Sequence, residues 1–156
     1  MLGYKKNLYI LPFDHRSSFT KGMFDIEGRA PDDNEKDRVK MAKKIIYEGF
    51  EHAIKLGVPR DGAAILVDEE YGSEILTDAQ KKGYTAILTV EKSGQELFDF
   101  EYGDEFGKHL ETFGPTFAKA LVRYNPEETK TKKTAQLVKL KILSDFCHKS
   151  GYKFLI

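Results

Sequence analysis

Five short apolar runs alternate with longer segments of helical periodicity, and this alternation limits the fold more than any other feature of the chain. The runs cover residues 8–13, 63–67, 84–90, 117–124 and 152–156. Between them lie helical patterns over 34–56, 73–82, 104–112 and 131–149. Residues 63–67 (AAILV) are apolar throughout, as in a strand covered on both faces. Strands alternating with amphipathic helices imply parallel pairing through right-handed crossovers. The expected class is therefore α/β, as an open doubly wound sheet or a (β/α) barrel. No strand runs into a glycine-rich phosphate turn, which counts against the dinucleotide-binding version of the open sheet.

The punctuation fits this frame. Pro12 falls just before Asp14-His15-Arg16, where a strand that ends there tolerates it. Residues 17–32 read as a long irregular connection with Gly22, Gly28 and Pro31. Asp32, Asp33 or Asn34 caps the first long helix. Ala42, Ile45, Ile46, Gly49, Phe50, Ala53 and Ile54 form its expected apolar stripe, with Lys40, Lys43, Lys44, Glu48, Glu51 and Lys55 on the other side. Ser73 is the expected cap of the second helix. In the last helix the expected buried stripe is Ala135, Val138, Ile142 and Phe146.

Lys plus Arg and Asp plus Glu number 25 each, so the net charge is zero. That gives no general attraction to nucleic acid or an anionic membrane, and leaves room for a local anion site. No apolar run is long enough for a membrane span and no cleavable leader is evident. The single cysteine, Cys147, lies in a helical pattern and is expected to be a buried or half-buried structural thiol. With no disulfide framework, a cytoplasmic location is expected.

The strand ends carry the polar chemistry. The first offers Asp14, His15 and Arg16; the second Asp68, Glu70 and Tyr71; the third Glu91 and Lys92; the fourth Lys119 within the strand and Arg123, Tyr124 and Asn125 at its end. Parallel neighbours would gather these groups on one rim, where both barrels and open sheets build their sites. Acid, base and cation together suit proton transfer beside a carbonyl or the handling of a phosphorylated sugar. Lys119 is the most informative, because a lysine in an apolar strand needs a partner or a task. Desolvation and a nearby cation would lower its proton affinity and favour a nucleophilic amine. A salt bridge to Glu91 or Asp68 is the structural alternative. Arg16 and Arg123 have the planar fork suited to phosphate.

No metal site and no cofactor is expected. His15, His52, His109 and His148 are scattered without ligand spacing. Asp14, Asp68, Glu70 and Glu91 are the one set of oxygens that would suit Mg²⁺. No nucleophile elbow, Walker motif or Cys-His signature is present.

At these same strand ends the chain resembles a known group. The segments PFDHRSSF, VDEEYGSEIL, EYGDEFGKHLETFGPTFAKALVRYNPEE and GYKFL resemble the aldolase-like domain fused to sugar kinases of the myo-inositol catabolic pathway. That domain is associated with cleavage of 2-deoxy-5-keto-gluconate 6-phosphate, and is similar in turn to the class I tagatose-bisphosphate aldolases. The resemblance runs along most of the chain and implies the N-terminal half, about five strands, of a parallel (β/α) barrel of TIM type. It implies Asp14 and Arg16 in the site, Glu70 and Glu91 as rim carboxylates and Lys119 near the reacting carbonyl; together with the strand-end reading this makes Asp14, Lys119 and Glu91 the expected catalytic groups. Substrate binding would fall to His15, Arg16, Asp68, Glu70, Tyr71, Arg123, Tyr124 and Asn125, and the ligand would be a phosphorylated keto sugar. His15 stands where the bisphosphate aldolases have glutamine. Their imine-forming lysine is expected on a sixth strand, beyond Ile156, and their phosphate loops later still.

A complete barrel takes about 250 residues, and this chain has 156. The expectation is one partial barrel domain over residues 1–156, either a truncated product or a half-barrel completed by self-association. Three functions follow: an aldolase-type lyase holding half the site, a non-catalytic half-barrel that dimerises or binds a sugar phosphate, and a carboxylate- and Mg²⁺-dependent lyase.

Overall fold

A computed structural model describes residues 4–156. Five parallel strands form one open sheet: β1 (Tyr9–Pro12), β2 (Ala63–Val67), β3 (Thr85–Thr89), β4 (Phe117–Lys119) and β5 (Lys153–Leu155). Their spatial order is their chain order, β1-β2-β3-β4-β5. The helices are α1 (Ser17–Phe24), α2 (Asp33–Lys55), α3 (Glu69–Lys81), α4 (Phe106–Phe113) and α5 (Lys130–Ser150). The α/β class is as expected from the alternation.

Because strand order never reverses, every crossover carries the chain the same way across the sheet. The core follows from this. Ala63, Ile65, Val67, Ala86, Leu88 and Ala118 alternate along the strands and pack with Tyr47 and Phe50 of α2, Leu76 of α3, Leu110 of α4 and Leu143 of α5. The opposite face presents Ala64, Leu66, Ile87 and Phe117, a separate cluster to which no helix contributes. Leu8 and Leu155 pack there, and the Tyr4 ring meets Phe117 edge-on at 4.9 Å. Thr89 and Lys119 are register partners at the ends of β3 and β4, so both rise from this helix-free face.

Several local expectations are corrected. The connection after β1 is not wholly irregular: residues 17–24 form α1, closed by Asp25 in the left-handed conformation at φ 57°. Asp32 caps α2 in a reciprocal box with Glu35. The stripe of α2 is rotated from the expected one. Val39, Lys43, Tyr47 and Phe50 are buried while Met41 and Ile45 are exposed, because the i, i+4 row containing Lys43 faces the sheet. Helix α3 starts four residues early, since Asp68 rather than Ser73 accepts the first-turn N–H, from Tyr71. In α5, Gln136, Leu143 and Cys147 are inside, and Val138 and Ile142 face outward. Strand β4 stops at Lys119, with one more ladder bond from Ala120 N–H to the Leu155 carbonyl. Residues 121–125 then leave the sheet for a turn in which the Asn125 side chain accepts from the Glu127 N–H. Among the described residues no helix is long and apolar enough to cross a membrane.

Candidate active site at the strand C-termini

The site grows from three strand ends. β1 leaves the ladder at Phe13, whose N–H donates to the Leu66 carbonyl at 2.8 Å, so the next side chain, Asp14, stands at the rim. β3 ends in Thr89, Val90 and Glu91, and an antiparallel bridge from Glu91 to Phe100 folds the following loop back over it. β4 ends in Lys119. The ammonium of Lys119 donates to Asp14 Oδ2 at 2.7 Å and to Glu91 Oε1 at 2.6 Å. One cation thus sits between two carboxylates from different strands, as the rim argument required.

The expectation that Lys119 loses proton affinity is overturned. Burial pushes its pKa down, but the hydrogen bonds it donates to Asp14 and Glu91 and their charges outweigh burial, and the net shift is upward. At neutral pH Lys119 is a held cation and a proton donor. The physical reason is the company it keeps: two anions touch it, where the sequence reading supposed a neighbouring cation.

Arg16 closes the opposite side. It is 9% exposed, donates through Nη1 to Glu101 Oε2 at 2.6 Å, and through Nη2 to the Glu91 carbonyl. Its Nε has no partner, and neither do Thr89 Oγ1 nor Glu91 Oε2, although all three atoms are buried. Unsatisfied buried polar atoms are costly. Arg16 and Glu91 line the cavity over the rim, and Thr89 ends β3 beside Lys119.

Above these groups lies a cavity of about 330 Å³. Asp14, His15, Arg16, Glu91, Lys119 and Arg123 line it, with Ser17 and the 92–98 loop forming a wall. The Ser17 and Ser93 hydroxyls meet at 2.9 Å across its mouth. Gln136 secures the wall from below: its side chain accepts from the Phe98 N–H and donates to the Arg123 carbonyl, each at 3.2 Å.

Of the eleven residues expected to have a catalytic or binding role, the cavity brings six together. Asp68, Glu70, Tyr71, Tyr124 and Asn125 do not line it. Asp68 is buried as the cap of α3 and is paired with Lys43. Tyr71 is buried in the first turn of α3, where burial and Glu70 raise its phenol pKa. Glu70 itself is exposed on the outer side of that turn. Tyr124 is solvent-exposed, and Asn125 serves its turn. The early start of α3 takes Asp68, Glu70 and Tyr71 into a cap and first turn directly after β2, and the early end of β4 leaves Tyr124 and Asn125 beyond the sheet.

Sequence reasoning missed Lys43, Glu101, Gln136 and Thr89. For Lys43 a signal existed: Val39, Lys43 and Tyr47 recur every four residues, the spacing of one helix face. Glu101 reaches Arg16 only through the fold of the 91–101 loop, which leaves no local pattern. A neighbouring pair lies outside the cavity. His109 Nδ1 meets both oxygens of Glu69 at 2.7 and 2.9 Å, and its ring stacks on Tyr102 at 3.5 Å.

Asp14 and Glu91 both spend an oxygen on Lys119. Among the described residues no three His, Cys, Asp or Glu side chains converge on a cation-sized site.

No curated protein matches the chain. A family model matches residues 3–156, and the chain belongs to the family described as uncharacterized protein conserved in bacteria (DUF2090).

Proposed function

We propose that this chain carries the acid–base and binding groups of an aldolase-type carbon–carbon lyase acting on a phosphorylated keto sugar of the 2-deoxy-5-keto-gluconate 6-phosphate or tagatose-bisphosphate kind. The observation that carries the proposal is the Asp14–Lys119–Glu91 arrangement at the carboxyl ends of three parallel strands, under a cavity with two arginines. The strand order supports reading the sheet as one arc of a TIM-type barrel: it runs in one direction, with the helices packed on a single face and a helix-free face beneath the site. A doubly wound sheet reverses direction and carries helices on both faces.

Retro-aldol cleavage removes a proton from the hydroxyl β to a carbonyl, breaks the adjacent carbon–carbon bond, and moves its electron pair towards the carbonyl carbon. It needs a base at the hydroxyl and a positive charge near the carbonyl oxygen. Glu91 Oε2, buried and unpartnered, faces the role of hydroxyl acceptor. Lys119, kept protonated by its two carboxylates, supplies the charge. Arg123, which lines the cavity, suits the phosphate, while Arg16 holds Glu101 and the Glu91 carbonyl in place. In the class I enzymes that the sequence resembles, the electron sink is a lysine imine on a sixth strand; at this rim the Lys119 ammonium would take that part by holding the charge that develops on the carbonyl oxygen.

The test is phosphorus NMR of the full chain mixed with either ketose phosphate. Conversion to shorter carbonyl fragments, slowed at least about 100-fold in Lys119→Met, supports the lyase. Binding without conversion would favour a non-catalytic sugar-phosphate binder. No binding and no conversion would refute the proposal.

A further inference from the structure

One charged side chain lies under this site without reaching the cavity. Lys43 projects from the middle of α2 and is 0% exposed. Its ammonium donates to Asp68 and, at 2.9 Å, to the Phe13 carbonyl. The rings of Phe19 and Tyr71 close over it at 5.7 and 5.6 Å. Asp68 is 1% exposed and uses its other oxygen to cap α3 through the Tyr71 N–H at 2.9 Å. The pair therefore ties three segments together at one point: α2, the end of β1 and the start of α3.

Stability alone is a poor reason to keep such a pair. Taking both charges from water is expensive, and apolar replacements of buried pairs are often neutral or better. What the pair does hold is Phe13, the residue before Asp14. The Phe13 N–H is fixed to Leu66 and its carbonyl to Lys43, so the peptide leading into Asp14 is pinned on both sides.

We propose that Lys43 is a positioning residue: through the Phe13 carbonyl and the Asp68 pair it sets Asp14 against Lys119. The proposal rests on the lyase reading only in its effect on turnover. Asp14 and Arg16 both lie within electrostatic reach of Lys43, while burial dominates and lowers its proton affinity.

The test uses the full chain and the double variant Lys43→Met/Asp68→Asn. One positive and one negative charge are removed together, and an amide oxygen at position 68 still accepts from Tyr71. A changed proton affinity at Lys119 then reports a displaced Asp14 and not a changed net field. With lysine labelled at Cε with carbon-13, the Lys119 midpoint should fall by at least about one pH unit, a tenfold loss of proton affinity. Where the wild type turns over, kcat should fall at least about tenfold with KM within about twofold. An unchanged Lys119 midpoint in a folded double variant overturns the proposal, whatever its activity. If that double variant does not fold, Lys43→Leu/Asp68→Ser, in which a hydroxyl still caps α3, takes its place, and an unchanged Lys119 midpoint there overturns the proposal equally. Absence of lyase activity in the wild type would sink the functional reading and leave both titrations valid.

Discussion

Replacing Lys119 with methionine tests the site where its energetics are most exposed. The Lys119 side chain is 14% exposed and those of Asp14 and Glu91 are 10% each. Hydrogen bonds to charged groups contribute about 1.5–3 kcal/mol each, and breaking a buried pair by removing one partner costs about 3–5 kcal/mol. Residual exposure moderates this, so Lys119→Met should lose about 3 kcal/mol at pH 7. The pH dependence has a definite sign. Folding raises the Lys119 pKa, so its contribution is fully present below the unfolded value of about 10.4 and fades as pH climbs through the folded value. The difference between wild type and variant should stay flat from about pH 7 to 9 and shrink above about 10.4. Urea unfolding followed by circular dichroism at several pH values measures it. A loss below about 1 kcal/mol, the range of an exposed pair, or a difference that widens with pH, would refute the reasoning.

Arg16→Gln removes the contacts to Glu101 and the Glu91 carbonyl and should cost about 1–3 kcal/mol in the same assay. A Cβ at Gly72 would lie 2.2 Å from Val67 Cγ2, so Gly72→Ala should destabilise by about 1–3 kcal/mol despite its better helix propensity. Gly49→Ala, in an exposed and uncrowded part of α2, should stabilise by about 0.5–1 kcal/mol, and a comparison of thermal melts separates the two. Burial pushes the Cys147 thiol up to about 11, so it should resist a disulfide reagent at pH 8 in the native protein and react at once in denaturant.

Much of the fold was legible because it rests on periodicity. Residues 63–67 and 84–90 could be placed as strands from their unbroken apolar runs, and Asp14 at a strand end from Pro12 and the polar triplet after it. The errors share one cause: side-chain capping and tertiary packing decide boundaries that propensity leaves open. Asp68 starts α3 by accepting from the Tyr71 N–H with one oxygen while Lys43, 25 residues away in sequence, holds the other. Lys43 falls on the polar side of the expected stripe because lysine generally prefers water, and its partner Asp68 leaves no local pattern. A lysine in an apolar strand needs a partner, and Glu91 is one that the sequence offers. Asp14, 105 residues away, becomes a partner only because the sheet brings the ends of β1 and β3 to the same ammonium.

The central claim is that the cavity over Asp14, Glu91 and Lys119 receives a phosphorylated keto sugar. Calorimetric titration of the full chain with 2-deoxy-5-keto-gluconate 6-phosphate tests it most directly. The account predicts one saturable site, weakened at least about tenfold by Arg123→Gln, which removes one charge-assisted phosphate contact, and competed only feebly by inorganic phosphate. No saturable heat, or equal affinity for inorganic phosphate and for the Arg123→Gln variant, would contradict it.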